Sequence, residues 1–249
     1  MTRELFSPKV LIYDKLDSTN LEALRILNDI SSACWLIAYE QFGGVGRYGK
    51  TWHSCFGNFS SSLLFFPTGD ESQFAQRSFI TALAVRDTII EFEVPPDFIT
   101  LKWPNDVLID NKKVAGILLQ SATTLSKRRA LIIGVGVNLL SIEKENEGPV
   151  LPQPISSISD FAKPPNARKF LHILIKKFDH WEKSFKTFGF SEIRRAWESF
   201  GPSIGQDINI RCGKEDSKGQ YLGIDNFGAL KAKVRGEERI YPSAEVNFR

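Results

Sequence analysis

Between residues 168 and 188, Phe170, Leu174, Phe178, Trp181, Phe185 and Phe188 recur at intervals of three or four. That spacing sets all six side chains on one face of a helix, and an aromatic stripe of this kind belongs in a core. Short apolar runs supply the surface it needs. Segments 10–13, 34–39, 58–66, 100–103, 106–109, 114–120 and 130–137 read as strands. Segment 72–92 reads as a helix with Phe79, Leu83 and Ile90 on one face. The cluster Asp17-Ser18-Thr19-Asn20 reads as an N-cap before a helical pattern of Leu21, Leu24, Ile26 and Leu27. Segment 191–200 reads as one more short helix. Strands interspersed with helices predict an α/β (α+β) unit over residues 1–200, a mixed sheet flanked by helices.

The pattern changes twice. Segment 143–165 holds Pro149, Pro152, Pro154, Pro164 and Pro165 and reads as loop. From Gly201 onward, Gly205, Gly213, Gly219, Gly223, Gly228 and Gly236 punctuate short strands at 207–211, 220–224, 229–234 and 239–241. Closely spaced strands and turns predict a small β-barrel over residues 201–249.

Composition excludes several classes. A chain of 249 residues, 42% hydrophobic and 24% charged, is long enough and apolar enough for a buried core, and is neither disordered nor collagen-like. A net charge of +3 gives no case for a dedicated nucleic-acid binder, although a local basic patch can hold one anion. Cys34, Cys55 and Cys212 form no CxxC pair, so neither a disulfide framework nor a zinc ribbon is expected. No apolar run approaches the ~18 residues that span a bilayer, and residues 1–5 lack the apolar stretch of a signal peptide. The expectation is a soluble cytoplasmic protein.

Four motifs can carry chemistry. In Gln41-Phe42-Gly43-Gly44-Val45-Gly46-Arg47-Tyr48-Gly49-Lys50-Thr51-Trp52, Gly44, Gly46 and Gly49 satisfy GxGxxG, and Arg47 and Lys50 add charge suited to phosphate. The run Thr51-Trp52-His53-Ser54 that follows is a poor helix, which argues against a dinucleotide fingerprint. No VAIK, HRD or DFG string supports a kinase. Lys102-Trp103-Pro104-Asn105-Asp106 is a rigid turn carrying a cation, an amide and a carboxylate. In Lys113-Val114-Ala115-Gly116-Ile117-Leu118 a lysine leads an apolar strand whose glycine permits close approach. Gly134-Val135-Gly136-Val137-Asn138 is an apolar strand with two glycines, consistent with close strand packing.

Taken in this order and spacing, with Asp17-Ser18-Thr19-Asn20 ahead and Gly223-Ile224-Asp225, Gly228-Ala229-Leu230 and Glu245-Val246-Asn247-Phe248-Arg249 behind, these motifs resemble the biotin–protein ligase family over nearly the whole chain. The resemblance implies a class II synthetase-like catalytic domain and a C-terminal SH3-like β domain. It implies that ATP, with Mg2+, converts biotin to biotinyl-5′-AMP, and that a lysine of a biotin carboxyl carrier protein, such as an acetyl-CoA carboxylase subunit, takes the biotin. Arg47, Lys113 and Asp106 would be catalytic: the two cations offset crowded negative charge, and Asp106 takes a proton from the carrier lysine. Ser18, Thr19, Asn20, Gln41, Gly44 and Gly116 would bind biotin. Val45, Gly46, Trp52, Lys102, Asn105 and Asn138, with Arg47 and Lys113, would bind the adenylate side. No resident metal site is implied, and a homodimer is one possible assembly.

The family loop usually reads Gly-Arg-Gly-Arg, where this chain has Gly44-Val45-Gly46-Arg47. One charge over the adenylate is missing, which predicts a leakier intermediate. The rivals are a lipoate or octanoate ligase or transferase of the same fold, a non-catalytic biotin-binding module, and a cysteine-dependent acyltransferase built on His53 and Cys55. A DNA-binding repressor is disfavoured, because sixteen residues ahead of Asp17 cannot hold a helix-turn-helix.

Overall fold

A computed structural model describes residues 8–70, 73–141 and 154–248. Strand β1 (Lys9–Leu16), helix α1 (Thr19–Arg25) and β2 (Cys34–Gln41) form a β-α-β unit with parallel strands. Strands β3 (Phe59–Phe65), β4 (Ile99–Lys102), β5 (Asp106–Ile109), β6 (Lys112–Thr123) and β7 (Arg129–Val137) add antiparallel neighbours, giving a seven-stranded mixed sheet in the order β1-β2-β3-β7-β6-β5-β4. Helices α2 (Arg77–Ile90), α3 (Ala167–Phe188) and α4 (Phe190–Glu198) complete the first unit. Strands β8 (Asp207–Cys212), β9 (Glu215–Ile224), β10 (Leu230–Val234), β11 (Glu237–Tyr241) and β12 (Glu245–Phe248) make a second, antiparallel sheet in the order β11-β10-β9-β8-β12.

Alternation divides the large sheet into two faces. Leu63 and Phe65 of β3 and Leu131, Ile133, Val135 and Val137 of β7 point into the main core with α2 and α3. That core continues without a break through Trp197 of α4 into Ile208, Tyr221, Leu230 and Val246 of the small sheet. On the opposite face Leu36, Leu64 and Ile132 pack under Ala23 and Leu27, at and just beyond α1.

The stripe on α3 meets this core through Phe170, Leu174, Phe178 and Phe185, all buried, whereas Phe188 is 67% exposed. It falls in the last turn, where the chain reverses at Gly189. Helix α2 departs further from expectation: it begins at Arg77 rather than near 72, and it is buried on nearly all sides, not along one face. Its polar residues tolerate this because each has a partner. Thr81 and Thr88 hydroxyls donate to carbonyls one turn back, and Arg77 pairs with Glu182 of α3 at 3.1 Å. Of the five prolines in the expected loop, Pro149 and Pro152 lie outside the described residues; Pro154, Pro164 and Pro165 lie in irregular chain.

Candidate active site

The floor of the site comes from a change of residue size along one sheet face. On the face that α1 covers, β3 runs Leu64, Ser62, Ser60 and β7 runs Ile132, Gly134, Gly136. Gly136 pairs with Gly116 of β6. Past the end of α1 the aliphatic side chains give way to serines and glycines, so a hollow opens. This cleft, about 800 Å³ in volume, is lined by every residue expected to act on or bind biotin or the adenylate except Gly44, which is buried beneath the loop.

Each glycine marks a close approach. A Cβ at Gly134 would lie 2.4 Å from Asn20 Oδ1, and one at Gly136 would lie 2.3 to 2.6 Å from the Trp52 indole. At Gly44 it would meet the Trp52 carbonyl at 2.4 Å and Gln41 Nε2 at 2.6 Å. The closeness expected at 134–138 is thus an approach by side chains that line the cleft. Sequence reasoning did not mark Ser60, Ser62, Gly134 or Gly136 as site residues; their facing the same way in alternating strands was the available signal.

At one end of the floor stands a polar cluster. Gln41 Oε1 accepts from the Thr19 backbone N–H at 2.9 Å, and Ser62 Oγ lies 2.7 Å from Thr19 Oγ1 and 2.5 Å from Asn20 Oδ1. Asn20 Nδ2 is buried with no hydrogen-bond partner in the protein. A buried donor of this kind costs free energy until an acceptor meets it, so the cluster suits a compact polar ligand. Asp17 does not reach the cluster. It pairs with Arg25, whose guanidinium holds its carboxyl down at about 2.

Asp106 faces the cleft beside its strand partner Gly116, and Lys113 joins it because of a bulge. Strict alternation would set Lys113 on the same face as Ala115. The β5–β6 register shifts between Val107 and Leu108, so Val114 and Ala115 are both buried in the core while Lys113 and Gly116 both face the cleft. Lys113 Nζ lies 2.6 Å from Asp106 Oδ1 and 5.6 Å from the Trp52 ring. Asn105 Nδ2 donates to the Ile117 carbonyl at 2.7 Å, and Asn138 Nδ2 to the Ser156 carbonyl at 3.0 Å. Lys102 Nζ donates to Asn247 Oδ1 at 3.2 Å, and burial lowers its pKa below the usual lysine range, although Asp106 and Glu245 act against this. Among the described residues, Arg47, Lys50, Lys102, Lys113, Arg211 and Lys218 line the cleft against three carboxylates, Asp106, Asp216 and Glu245. A chain of small net charge thereby presents a locally positive cleft suited to a polyanion.

The glycine segment is a short hairpin, with Val45 bridged to Thr51 and Trp52 N–H donating to the Gly44 carbonyl. Arg47 does not point at Lys113. Its guanidinium reaches Asn105 Oδ1 at 3.4 Å and Ser243 Oγ at 3.2 Å. Val45 is exposed and places an isopropyl group at the mouth. His53 lines the cleft and Cys55 does not, so the two form no catalytic pair there.

Residues 13–138 match the model of the biotin/lipoate A/B protein ligase family. The chain is also 37% identical over 237 residues to a biotin--[acetyl-CoA-carboxylase] ligase of Paracoccus denitrificans, covering 94% of this chain and 98% of that one. The chain belongs to the biotin/lipoate A/B protein ligase family. The bifunctional ligase/repressor BirA of Bacillus subtilis is 32% identical to this ligase, over 98% of this chain and 75% of that protein. Among solved structures, a biotin protein ligase from Aquifex aeolicus in complex with biotin and ATP superposes with a TM-score of 0.82 at 25% identity, over 98% of this chain and 100% of that one. The family match ends at Asn138 and so contains every site residue the sequence singled out; the small sheet that walls the cleft is covered by the longer alignments.

Proposed function

We propose that this ligase activates biotin with ATP and transfers it to a lysine of a biotin carboxyl carrier domain. The observation that carries the reading is the pairing, in one cleft, of a neutral hydrogen-bonding cluster with a cationic end around Lys113. A ligand with a polar head and a carboxylate tail fits the two ends. Thr19, Asn20 and Gln41, with Ser18 at the helix start, take the ureido head. The Gly116–Gly136 floor and Trp52 take the apolar ring and chain.

In the first step a biotin carboxylate oxygen attacks the α-phosphorus, an O–P bond forms, and the bond to the β-phosphate breaks, releasing pyrophosphate. Lys113 bridges the carboxylate and the α-phosphate and holds both against their mutual repulsion. Lys102, Asn105, Asn138 and the backbone at Gly46 serve the adenylate side. In the second step the carrier lysine nitrogen attacks the acyl carbon and AMP departs. Asp106, beside Lys113, takes the proton from that lysine. Mg2+ carried by the nucleotide would offset part of the charge on its phosphates. Among the described residues, the carboxylates lining the cleft are ion-paired (Asp106 to Lys113, Asp216 to Arg211, Glu245 to Lys50), which suits an ion carried by substrate better than a resident one. We place the boundary between catalytic and C-terminal units at 200/201 and the protein in the cytoplasm. No described helix is long and apolar enough to cross a membrane.

Biotin-dependent ATP–pyrophosphate exchange tests the reading, with lipoate and octanoate in parallel. Exchange with biotin alone is expected, falling about 100-fold or more in Lys113→Ala, the usual cost of losing a preorganised group at developing charge. Exchange with a fatty acid instead moves the chain to the lipoate branch, and no exchange with any acid leaves a binding module. Asp106→Ala that transfers biotin from preformed adenylate at the wild-type rate would refute the proton-acceptor role.

A further inference from the structure

The glycine hairpin is held at both ends, and the far end is held by the small sheet. At its base Gly43 N–H donates to the Asp17 carbonyl at 2.7 Å. At its tip three contacts converge on residues 243–245, the segment entering β12. Tyr48 Oη lies 2.8 Å from Ser243 Oγ, and Arg47 Nη2 lies 2.9 Å from Tyr48 Oη and 3.2 Å from Ser243 Oγ. Lys50 pairs with Glu245 at 2.6 Å. The guanidinium of Arg47 also sits 4.8 Å from the centre of the Tyr48 ring. Tyr48 itself adopts φ 56°, ψ 28°, a left-handed conformation that residues bearing a Cβ seldom take unless the surroundings fix it. Ser243 is steadied in turn, since the Cys212 thiol contacts its carbonyl at 3.6 Å. The other arm of the hairpin offers Val45, with no polar group to bind anything.

We infer that Tyr48 and Ser243 are positioning residues: their hydroxyl pair latches the hairpin to the C-terminal unit, holds Arg47 at the cleft mouth, and so retains the activated intermediate. Neither residue touches the reacting atoms. The retention half rests on the adenylate chemistry proposed above; the latch half does not. With Val45 at the other arm, the polar contacts of the tip do the holding that Val45 cannot.

The test uses the full chain and the variants Tyr48→Phe, Ser243→Ala and Ser243→Thr. Both altered side chains are exposed, so the fold is not at risk. In the ligand-free protein, the rate of tryptic cleavage after Arg47 and Lys50 reads hairpin release. In the loaded protein, a trapping assay reads dissociation of preformed biotinyl-adenylate. Tyr48→Phe and Ser243→Ala are each expected to raise both rates about 2- to 10-fold, the factor that one lost hydrogen bond implies. The double variant should fall short of the product of the single effects, because both changes delete the shared Tyr48–Ser243 contact while each also removes its own bond from Arg47, and Ser243→Thr should restore wild-type rates. Unchanged cleavage in both variants overturns the latch. Faster cleavage with unchanged adenylate dissociation overturns the claim that the latch retains the intermediate. A wild-type protein that forms no adenylate sinks the activity reading and its retention half, while the cleavage rates still decide the latch.

Discussion

Gly136 shows how much one hydrogen atom in place of a methyl group can decide. A side chain there would overlap the Trp52 indole, which is neither small nor free to move aside without opening the hairpin it terminates. Gly136→Ala is expected to weaken biotin binding by about 1–3 kcal/mol while leaving the protein folded, by the cost of forcing an extra carbon into a packed contact. Titration calorimetry alongside thermal unfolding separates the two effects. Lys102 makes a second prediction, with a definite sign. Its folded-state pKa lies below the usual 10.5, so it loses its charge earlier than an ordinary lysine as the pH rises. ATP binding favours the charged form, so affinity for ATP should fall as pH climbs through that lowered value. Lys102→Gln should bind less tightly at neutral pH and lose this part of the pH dependence, read from Kd against pH. A wild-type profile in the variant would assign the titration elsewhere.

At the scale of elements, what the sequence made legible followed period, and what it hid followed exceptions to period. The α3 stripe was readable because an amphipathic helix on a sheet repeats its burial at each turn. Phe178→Ala should therefore cost about 3–5 kcal/mol in chemical denaturation, as loss of a buried phenyl ring does. Phe188→Ala, on the same apparent stripe but in solvent, should stay within about 0.5 kcal/mol of wild type. Helix α2 defeated the one-face expectation because its burial is paid for by hydrogen bonds that Thr81, Thr88 and Arg77 donate, which hydropathy alone does not register. The Lys113 bulge was hidden for another reason. A one-residue shift changes which face every later side chain takes, yet leaves the local sequence an ordinary strand. The site motifs themselves were legible in company: the Lys102–Asp106 turn and the Lys113–Leu118 strand lie side by side, and meet at Asp106 and Lys113. Ser243 was not, because nothing in a loop serine announces a partner some two hundred positions earlier.

Across the whole molecule, the two units share more than a linker. Trp103, at the turn between β4 and β5, is buried and donates its indole N–H to the Gly228 carbonyl of the small sheet at 2.9 Å. With Trp197, Tyr221 and Ile224 in one continuous core, unfolding should be a single transition, coincident by tryptophan fluorescence and circular dichroism. Trp103→Phe, which leaves a buried carbonyl unpaired, should lower stability by about 1–3 kcal/mol without splitting that transition. Two separate transitions would mean that the units fold independently. The cleft draws its walls from residues 18–20 and again from 244–247, nearly the two ends of the described chain. During synthesis the wall bearing Glu245 and Asn247 leaves the ribosome well after every strand of the large sheet. A nascent chain can therefore lay down its large sheet well before it has a closed cleft, and competence for the reaction arrives with β12 rather than accumulating along the way.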